Sequence, residues 1–570
     1  MLLGFQGGGS NLGPKKLWMQ ISSKNHLLAT ILDQITTNDT VTMAATIKAL
    51  DQDNNNSAQP HTLHRLFQGN GKSLNDLIAL LTLLLLTIIV WKILQARLRP
   101  RLTQRLPPGP RGWPVVGNLF QFMRFFTSDL QDLVKKYGPI ITFRIGSTPF
   151  IIITDAQIAH EAFVEKGSVF ASRPNPPSLA LFSSNFRNIT SSVYGPVWRA
   201  LRKNLVSGIV SSSRASNYLR QVREQVAQNL VTRFSDAAAA TATQDGGIVG
   251  VRPIIRYGIH DLLLSLCFGT QLEESVVLEV AQTLKKILLN RSRSRMDDYI
   301  PWFRFIPWMQ SNEKDRQLRQ QQVDALLPLI QEAKKLREDG KLPTDSYIDS
   351  LLAIDLQGEK LSDEHLVTLC SELLNAGSDT TVTTLEWALA NIIIQPQIQA
   401  EIVKEIERVV GKRTVTEEDI DKLPYLEAVL METLRRHPPG HYTLPHAVTQ
   451  PCKLQGCDIP LTATVFVSIL SISNDPRIWA NPTEFKPERF LNLDLDITGS
   501  KKITMIPFGA GRRICPGLGL AMLHLNFILA RLMQSFEWST SAPGDRVDLT
   551  ATREFTMVMK TPLRALIKTR

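Results

Sequence analysis

The segment Pro507–Ala521, PFGAGRRICPGLGLA, decides how the rest of the chain is read. Phe508, Gly509, Gly511, Arg513, Cys515 and Gly517 fill all six specified positions of FGxGxRxCxG. At about one in twenty per position, such a match arises by chance in a chain this long about once in a hundred thousand cases. The glycines permit a tight bulge whose amides can face the sulfur, and Pro516 is suited to start the following helix. The positive end of that helix favours a thiolate at Cys515. A buried inert cysteine is the competing reading, and the surrounding pattern speaks against it.

The five cysteines, Cys267, Cys370, Cys452, Cys457 and Cys515, contain no CxxC pair. An odd, widely spread set makes no disulfide framework and fits a reducing compartment. No zinc-type spacing is present, so metal chemistry must rest on one thiolate and a cofactor that supplies the remaining ligands, which points to haem. A thiolate donates electron density to iron and favours O–O cleavage. Arg513 is then expected to pair with a haem propionate. Gly517 and Gly519 lie behind a cysteine rather than after a strand of a βαβ unit, so they cradle no phosphate. With no nicotinamide or flavin domain, electrons must come from elsewhere.

The chain has 570 residues, 43% hydrophobic and 21% charged, with a net charge of +11. That composition excludes disorder throughout and allows one large domain or two. The positive balance fits an acidic leaflet or an acidic protein; no basic-aromatic motif argues for nucleic acid. Residues 1–73 are polar, rich in Asn, Gln, Gly and Thr, and are expected to form a disordered extension. Residues 74–94 include the apolar run Leu77–Trp91 and read as one transmembrane helix, with Lys92 snorkelling. A buried core helix is the alternative. Lys92, Arg97, Arg99, Arg101, Arg105 and Arg111 follow the run, which favours an anchor with its C-terminal side in the cytosol. Pro107, Pro108, Pro110 and Pro114 make residues 95–114 a stiff basic linker, and 115–570 the catalytic domain. An acid-free stretch up to Leu32 leaves a plastid membrane open beside the endoplasmic reticulum.

Beyond Pro114, helical patterns dominate, with short strand-like runs between them. Ile141–Thr154, ITFRIGSTPFIIIT, reads as a hairpin and Gln399–Val410, QAEIVKEIERVV, as a helix.

From Pro107 to the C-terminus the chain resembles the cytochrome P450 superfamily, on the cysteine segment and four further motifs. The resemblance implies a mainly α (α+β) fold, a helix-rich haem domain with a small β-sheet region. It further implies haem b, with dioxygen as co-substrate and NADPH used through a separate reductase. Glu432 and Arg435 in METLRRHPP, with Arg489 in PTEFKPERF, resemble the structural Glu-Arg-Arg triad beneath the haem. In ELLNAGSDTTVTTLEWALA, Gly377 and the hydroxyls are expected to weaken the helix ladder, and Asp379 and Thr380 match the acid-alcohol pair that relays protons. Hydroxyls that merely cap a kink are the bland reading. Trp198 and Arg202 match WxxxR, which meets a propionate, although this spacing alone is more often surface packing. His446 falls where another propionate ligand is supplied, unless it is a solvated histidine. Phe508 belongs to the same cofactor-binding segment.

Arg199 and Lys203 suggest a basic face for an acidic flavoprotein reductase. The segment Cys457–Phe466, CDIPLTATVF, departs from the family's Gly-Tyr and Pro-x-Gly turn, which leaves the sheet geometry there open. Asn188-Ile189-Thr190 is a glycosylation sequon in form only, because the inferred orientation puts it in the cytosol.

Within the superfamily the wording is similar to the plant microsomal type, and most similar to the seventy-seventh plant family. That implies in-chain hydroxylation or epoxidation of long-chain fatty acids. A pocket lined by Phe182, Phe186, Ile189, Ala376 and Leu444, with Leu181 nearby, fits an apolar substrate. Hydroxylation of a terpenoid or phenolic is the alternative, since apolar residues do not choose between them. A non-catalytic haem-binding protein would need no relay pair.

Overall fold

The computed structural model describes residues 78–91, 105–113, 116–125, 130–210, 216–242, 247–292, 295, 298, 312–356, 358–493, 495–541 and 544–570. The expected extension 1–73, the cations Lys92 to Arg101, and Pro114 lie outside the described residues. Residues up to Pro100 and those from Arg101 onward form separate compact units. In the first, Ile78–Trp91 is an apolar helix. All its residues but Ile89 are exposed. It is shorter than the about 20 residues that a membrane span needs.

The second unit is built around one long helix, Asp363–Ile394, of 32 residues. Ser362 caps it by accepting from the His365 amide, and Asp363 and Glu364 complement the positive end of the dipole. Apolar residues distributed around it let most of its length be buried, the face of Ala376 apart. Helices Val251–Phe268, Asn312–Glu338, Pro424–Arg436 and Leu518–Ser535 pack against it. Gly377 has a packing role, because a Cβ there would meet the Leu263 side chain at 3.0 Å. The expected weakening of the ladder is not seen: the helix is unbroken through Gly377. The hydroxyls of Thr380, Thr381 and Thr384 bond back to the carbonyls of Ala376, Gly377 and Thr380, four residues earlier. Leu518–Ser535 is long and apolar enough to cross a membrane, but most of it is buried among these neighbours as a core helix.

Strands Ile140–Ile145 and Thr148–Ile153 pair antiparallel around a two-residue turn, as the alternation in Ile141–Thr154 suggests. Thr464–Val467 adds parallel to the second strand, and His446–Ala447 adds antiparallel beyond it. The departing segment Cys457–Phe466 forms sheet nonetheless. Cys457–Ile459 pairs with Cys452–Leu454 across Gln455 and Gly456, both with positive φ, and Thr464–Val467 enters the four-stranded sheet. The C-terminal strand Arg564–Thr569 pairs with Ile248–Gly250 and Phe536–Ser539. Helices thus make the core, and the small sheets carry His446 to its edge. Pro107, Pro108 and Pro110 lie in irregular backbone, as proline's missing N–H requires.

Candidate active site around Cys515

The cysteine loop is closed by its own backbone. The Cys515 amide donates to the Phe508 carbonyl at 2.8 Å, and Gly509 and Gly511 take φ of 73° and 66°. A side chain at Gly511 would collide with the Phe163 carbonyl, so glycine lets the loop lie against Glu161–Glu165. The following helix begins at Leu518, so Pro516 stands two residues ahead of it rather than starting it. Burial pushes the Cys515 thiol up, while the Gly517 amide and the Arg202 charge pull it down and favour the thiolate.

Beside the loop, three arginines crowd together. Arg513 donates to the carbonyls of Ala171, Ile189 and Ser192 at 2.5, 3.0 and 2.5 Å. Arg202, on helix Pro196–Leu205, donates to Ile514 O at 2.7 Å. Arg173 donates to Thr190, Leu444 and Pro445 carbonyls. Trp198 lies between two of them, its ring 5.4 Å from Arg202 and 4.4 Å from Arg513. The Trp198–Arg202 face is therefore at the site, with Trp198 buried and Arg202 half-buried.

Among the described residues none of the three arginines is ion-paired with a carboxylate. Burial, then Arg513 and Arg202, pulls Arg173 down to about 9; burial and Arg202 pull Arg513 down to about 10. His446 is buried, not solvated. Its Nδ1 faces the Phe170 carbonyl at 2.6 Å, and burial with Arg173 holds it well below the usual histidine range. Such unneutralised cations fit a ligand that brings its own carboxylates, and the two propionates of a haem supply that chemistry next to a sulfur ligand. Each guanidinium has five N–H donors, so the carbonyl bonds leave capacity for an anion.

Arg173 was not legible as a site residue. It follows an apolar run and precedes Pro174, and it reaches the cluster because Ser172 bridges to Ala447 beside His446. A lone arginine between a short apolar run and a proline-rich stretch was the only signal.

Glu432 and Arg435 form a fully buried bidentate pair, at 2.6 and 2.8 Å. Arg435 also donates to the carbonyls of Ser473, Pro482 and Glu484, and Arg489 reaches Glu432 at 3.3 Å. The structure thus brings the three triad residues together.

On the long helix, Asp379 is buried and pairs with Lys285 at 3.2 Å and Arg256 at 3.5 Å; Lys285 continues to Glu554 at 2.5 Å. Neither cation was anticipated, since both come from separate helices. Thr380 donates to the Ala376 carbonyl at 2.7 Å. Ala376 is exposed although its neighbours Leu374, Asn375 and Ser378 are buried, which marks open space along that face.

The expected pocket residues divide. Phe186 is half-buried and Leu444 exposed. Phe182, 3% exposed, packs with Ile287 and Leu318 instead of facing open space, and Ile189 lies in the main core. Phe182 lies in the short 3-10 helix Leu181–Ser183, and the chain then turns through three residues with positive φ, Ser184, Asn185 and Phe186. Asn188 is buried too, so the sequon cannot be reached.

A helix-rich domain that seats one cysteine in a glycine loop beside a cation cluster defines the haem-thiolate oxygenase class. The cytochrome P450 family model matches residues 107–569, and the chain belongs to that family. It is 37% identical to cytochrome P450 89A9 of Arabidopsis thaliana, over 82% of this chain and 94% of that protein. It is 31% identical to the flavonoid 3'-monooxygenase of Arabidopsis thaliana, over 80% of this chain and 90% of that protein. A zebra fish cytochrome P450 solved with progesterone shares the fold, with TM-score 0.65 and 23% identity over 77% of this chain and 98% of that one. The chain is accordingly a plant-type haem-thiolate monooxygenase that uses haem, dioxygen, a redox partner and a small-molecule substrate.

Proposed function

We propose that this monooxygenase hydroxylates or epoxidises long-chain fatty acids within the chain, with Cys515 as the iron ligand. The arginine cluster beside Cys515, which has no carboxylate partner among the described residues, carries the cofactor part of this reading. Bound haem b supplies the activation of dioxygen and the insertion of one oxygen atom into the substrate. Arg202, Arg513 and Arg173 would hold its propionates, with His446 and Trp198 beside them, the Trp198 N–H being bonded to the Ile189 carbonyl, and Phe508 fixes the loop through its carbonyl. The Glu432-Arg435-Arg489 network keeps the backbone beneath the site in place. Thr380 Oγ1 would pass a proton toward the reacting face, and Asp379, held by Lys285 and Arg256, would take up a proton from solvent and relay it.

Ala376, Phe186 and Leu444 offer apolar surface to an acyl chain. The likeness of YGPVWRALRKN and MIPFGAGRRICPGLGLAM to the seventy-seventh plant family supports a lipid substrate. The identity to the flavonoid 3'-monooxygenase favours the second reading, a phenolic or terpenoid substrate. Exposed Arg199, Lys203 and Arg512 form a basic face for an acidic NADPH-cytochrome P450 reductase. Residues 74–94 anchor the enzyme in the endoplasmic reticulum membrane with the domain 115–570 in the cytosol, through the linker 95–114 and behind the extension 1–73. A plastid membrane is the competing address.

The test is a Soret titration of the microsomal protein with long-chain unsaturated fatty acids and with small terpenoids and phenolics. A spin-state shift with fatty acids alone supports the lipid reading, and one with the other panel alone overturns it. Cys515→Ser is expected to abolish the thiolate-type ferrous-CO spectrum; its retention removes Cys515 as the ligand.

A further inference from the structure

The Ile189–Thr190 backbone stands between a carboxylate and the cation cluster, and it is bonded to both. On one side its two amides donate to Glu372, Ile189 N to Oε2 at 2.9 Å and Thr190 N to Oε1 at 2.6 Å. Asn188 adds a third donor, Nδ2 to Oε1 at 2.9 Å. On the other side, the Ile189 carbonyl accepts from both Trp198 and Arg513, at 3.1 and 3.0 Å. The Thr190 carbonyl accepts from Arg173 at 3.2 Å.

Glu372 lies on the long helix, on one face with Ala376 and Thr380 at successive intervals of four residues. A carboxylate has room for about four donors, and here they come from one short stretch of loop, the Thr190 side chain included. Burial pushes its carboxyl up, against the loop bonds and Arg291, which hold it down.

We propose that Glu372 is a positioning residue for the haem seat. Through the Ile189 and Thr190 peptides it sets where their carbonyls lie, and those carbonyls orient Arg513 and Arg173 toward the propionates and fix the Trp198 ring beside them. The wall that faces substrate and the groups that hold the cofactor are thereby joined through two peptide units. This rests on the arginine cluster being the propionate seat.

Glu372→Gln tests it with little change of shape. The amide oxygen can accept, but its NH2 cannot, so at least one loop donor faces another donor. Holoenzyme carrying Glu372→Gln is expected to lose haem to apomyoglobin on the order of tenfold faster than wild type, while keeping a thiolate-type ferrous-CO spectrum. Glu372→Asp keeps the charge but withdraws it by one methylene; its holoenzyme is also expected to lose haem faster, and its midpoint potential to fall, because propionates less well neutralised favour the ferric state. The potential is read in this variant, since in Glu372→Gln the loss of the carboxylate's own charge moves it the other way. A purely structural loss of stability would leave the potential of the surviving aspartate holoenzyme unchanged. Wild-type haem loss in both variants, or a wild-type potential in Glu372→Asp, overturns the proposal. Failure of the underlying reading is distinguishable, because it appears as unaltered haem retention in Arg513 and Arg173 variants of otherwise wild-type protein.

Discussion

Arg513 and Trp198 share one acceptor, the Ile189 carbonyl, and the guanidinium lies 4.4 Å from the indole ring that it overhangs. The pair is thus fixed by stacking and by a common bond. Lysine keeps the charge of Arg513 but not its planar fork, so Arg513→Lys is expected to lower the haem-to-protein ratio. Trp198→Phe keeps a ring and loses one N–H bond worth about 1 kcal/mol, hence about fivefold weaker haem retention. Haem transfer to apomyoglobin measures both, and unchanged retention in both variants would remove the pair from the haem seat.

The triad predicts a graded series. Glu432 and Arg435 are wholly buried, so Glu432→Gln or Arg435→Leu strands a charge at a cost of about 3–5 kcal/mol. Neither is expected to incorporate haem. Arg489, partly exposed, touches Glu432 only at 3.3 Å, so Arg489→Leu should retain part of the holoprotein. Soret absorbance relative to protein decides this; normal haem content in either of the first two refutes it.

Thr380→Ala removes a hydroxyl now bonded to Ala376 and leaves the helix backbone intact. The expected phenotype is continued NADPH consumption with less product and more peroxide. Coupling equal to wild type, measured as product per NADPH, would take Thr380 out of proton delivery.

Three histidines make the fold acid-sensitive. His437 stacks on Trp387 at 4.2 Å, and burial, then Arg436 and Arg435, pulls it down to about 3. Burial pulls His441 to about 4, and burial with Arg223 pulls His524 to about 3. Each folded value lies below the unfolded one near 6.5, so the unfolded chain takes up protons first as pH falls. Their contribution is complete above about pH 6.5 and is lost progressively down to about pH 4 for His441 and about pH 3 for His437 and His524, at up to about 1.4 kcal/mol per unit for each histidine. Urea midpoints at pH 7.5 and 5 should show the drop, and His437→Gln should flatten it. Equal midpoints at the two pH values would contradict this.

Much of the site was legible because its residues sit in short motifs with fixed spacing. The cysteine loop, Trp198 with Arg202, and Glu432 with Arg435 each lie within one turn or one helix, so a local pattern carries them. Arg173, Glu372 and Lys285 each act on partners far away in the chain, through contacts that the tertiary fold alone creates. Phe182 misled for a related reason. An apolar residue in a loop can face a cavity or a core, and only the distant residues that reach it, Ile287 and Leu318, show which. Gly377 misled because a glycine amid hydroxyls suits a broken helix as well as close packing, and Leu263 on a neighbouring helix settles the matter.

The bonds at Ile189 run through its peptide group and leave its side chain out, whereas the Thr190 side chain bonds Glu372 alongside its own amide. The two neighbours therefore tolerate change differently. At Ile189 an exchange for another apolar side chain is felt by the core and spares the attachment of the cofactor, proline excepted because it lacks the amide. At Thr190 the loss of the hydroxyl loosens that attachment directly.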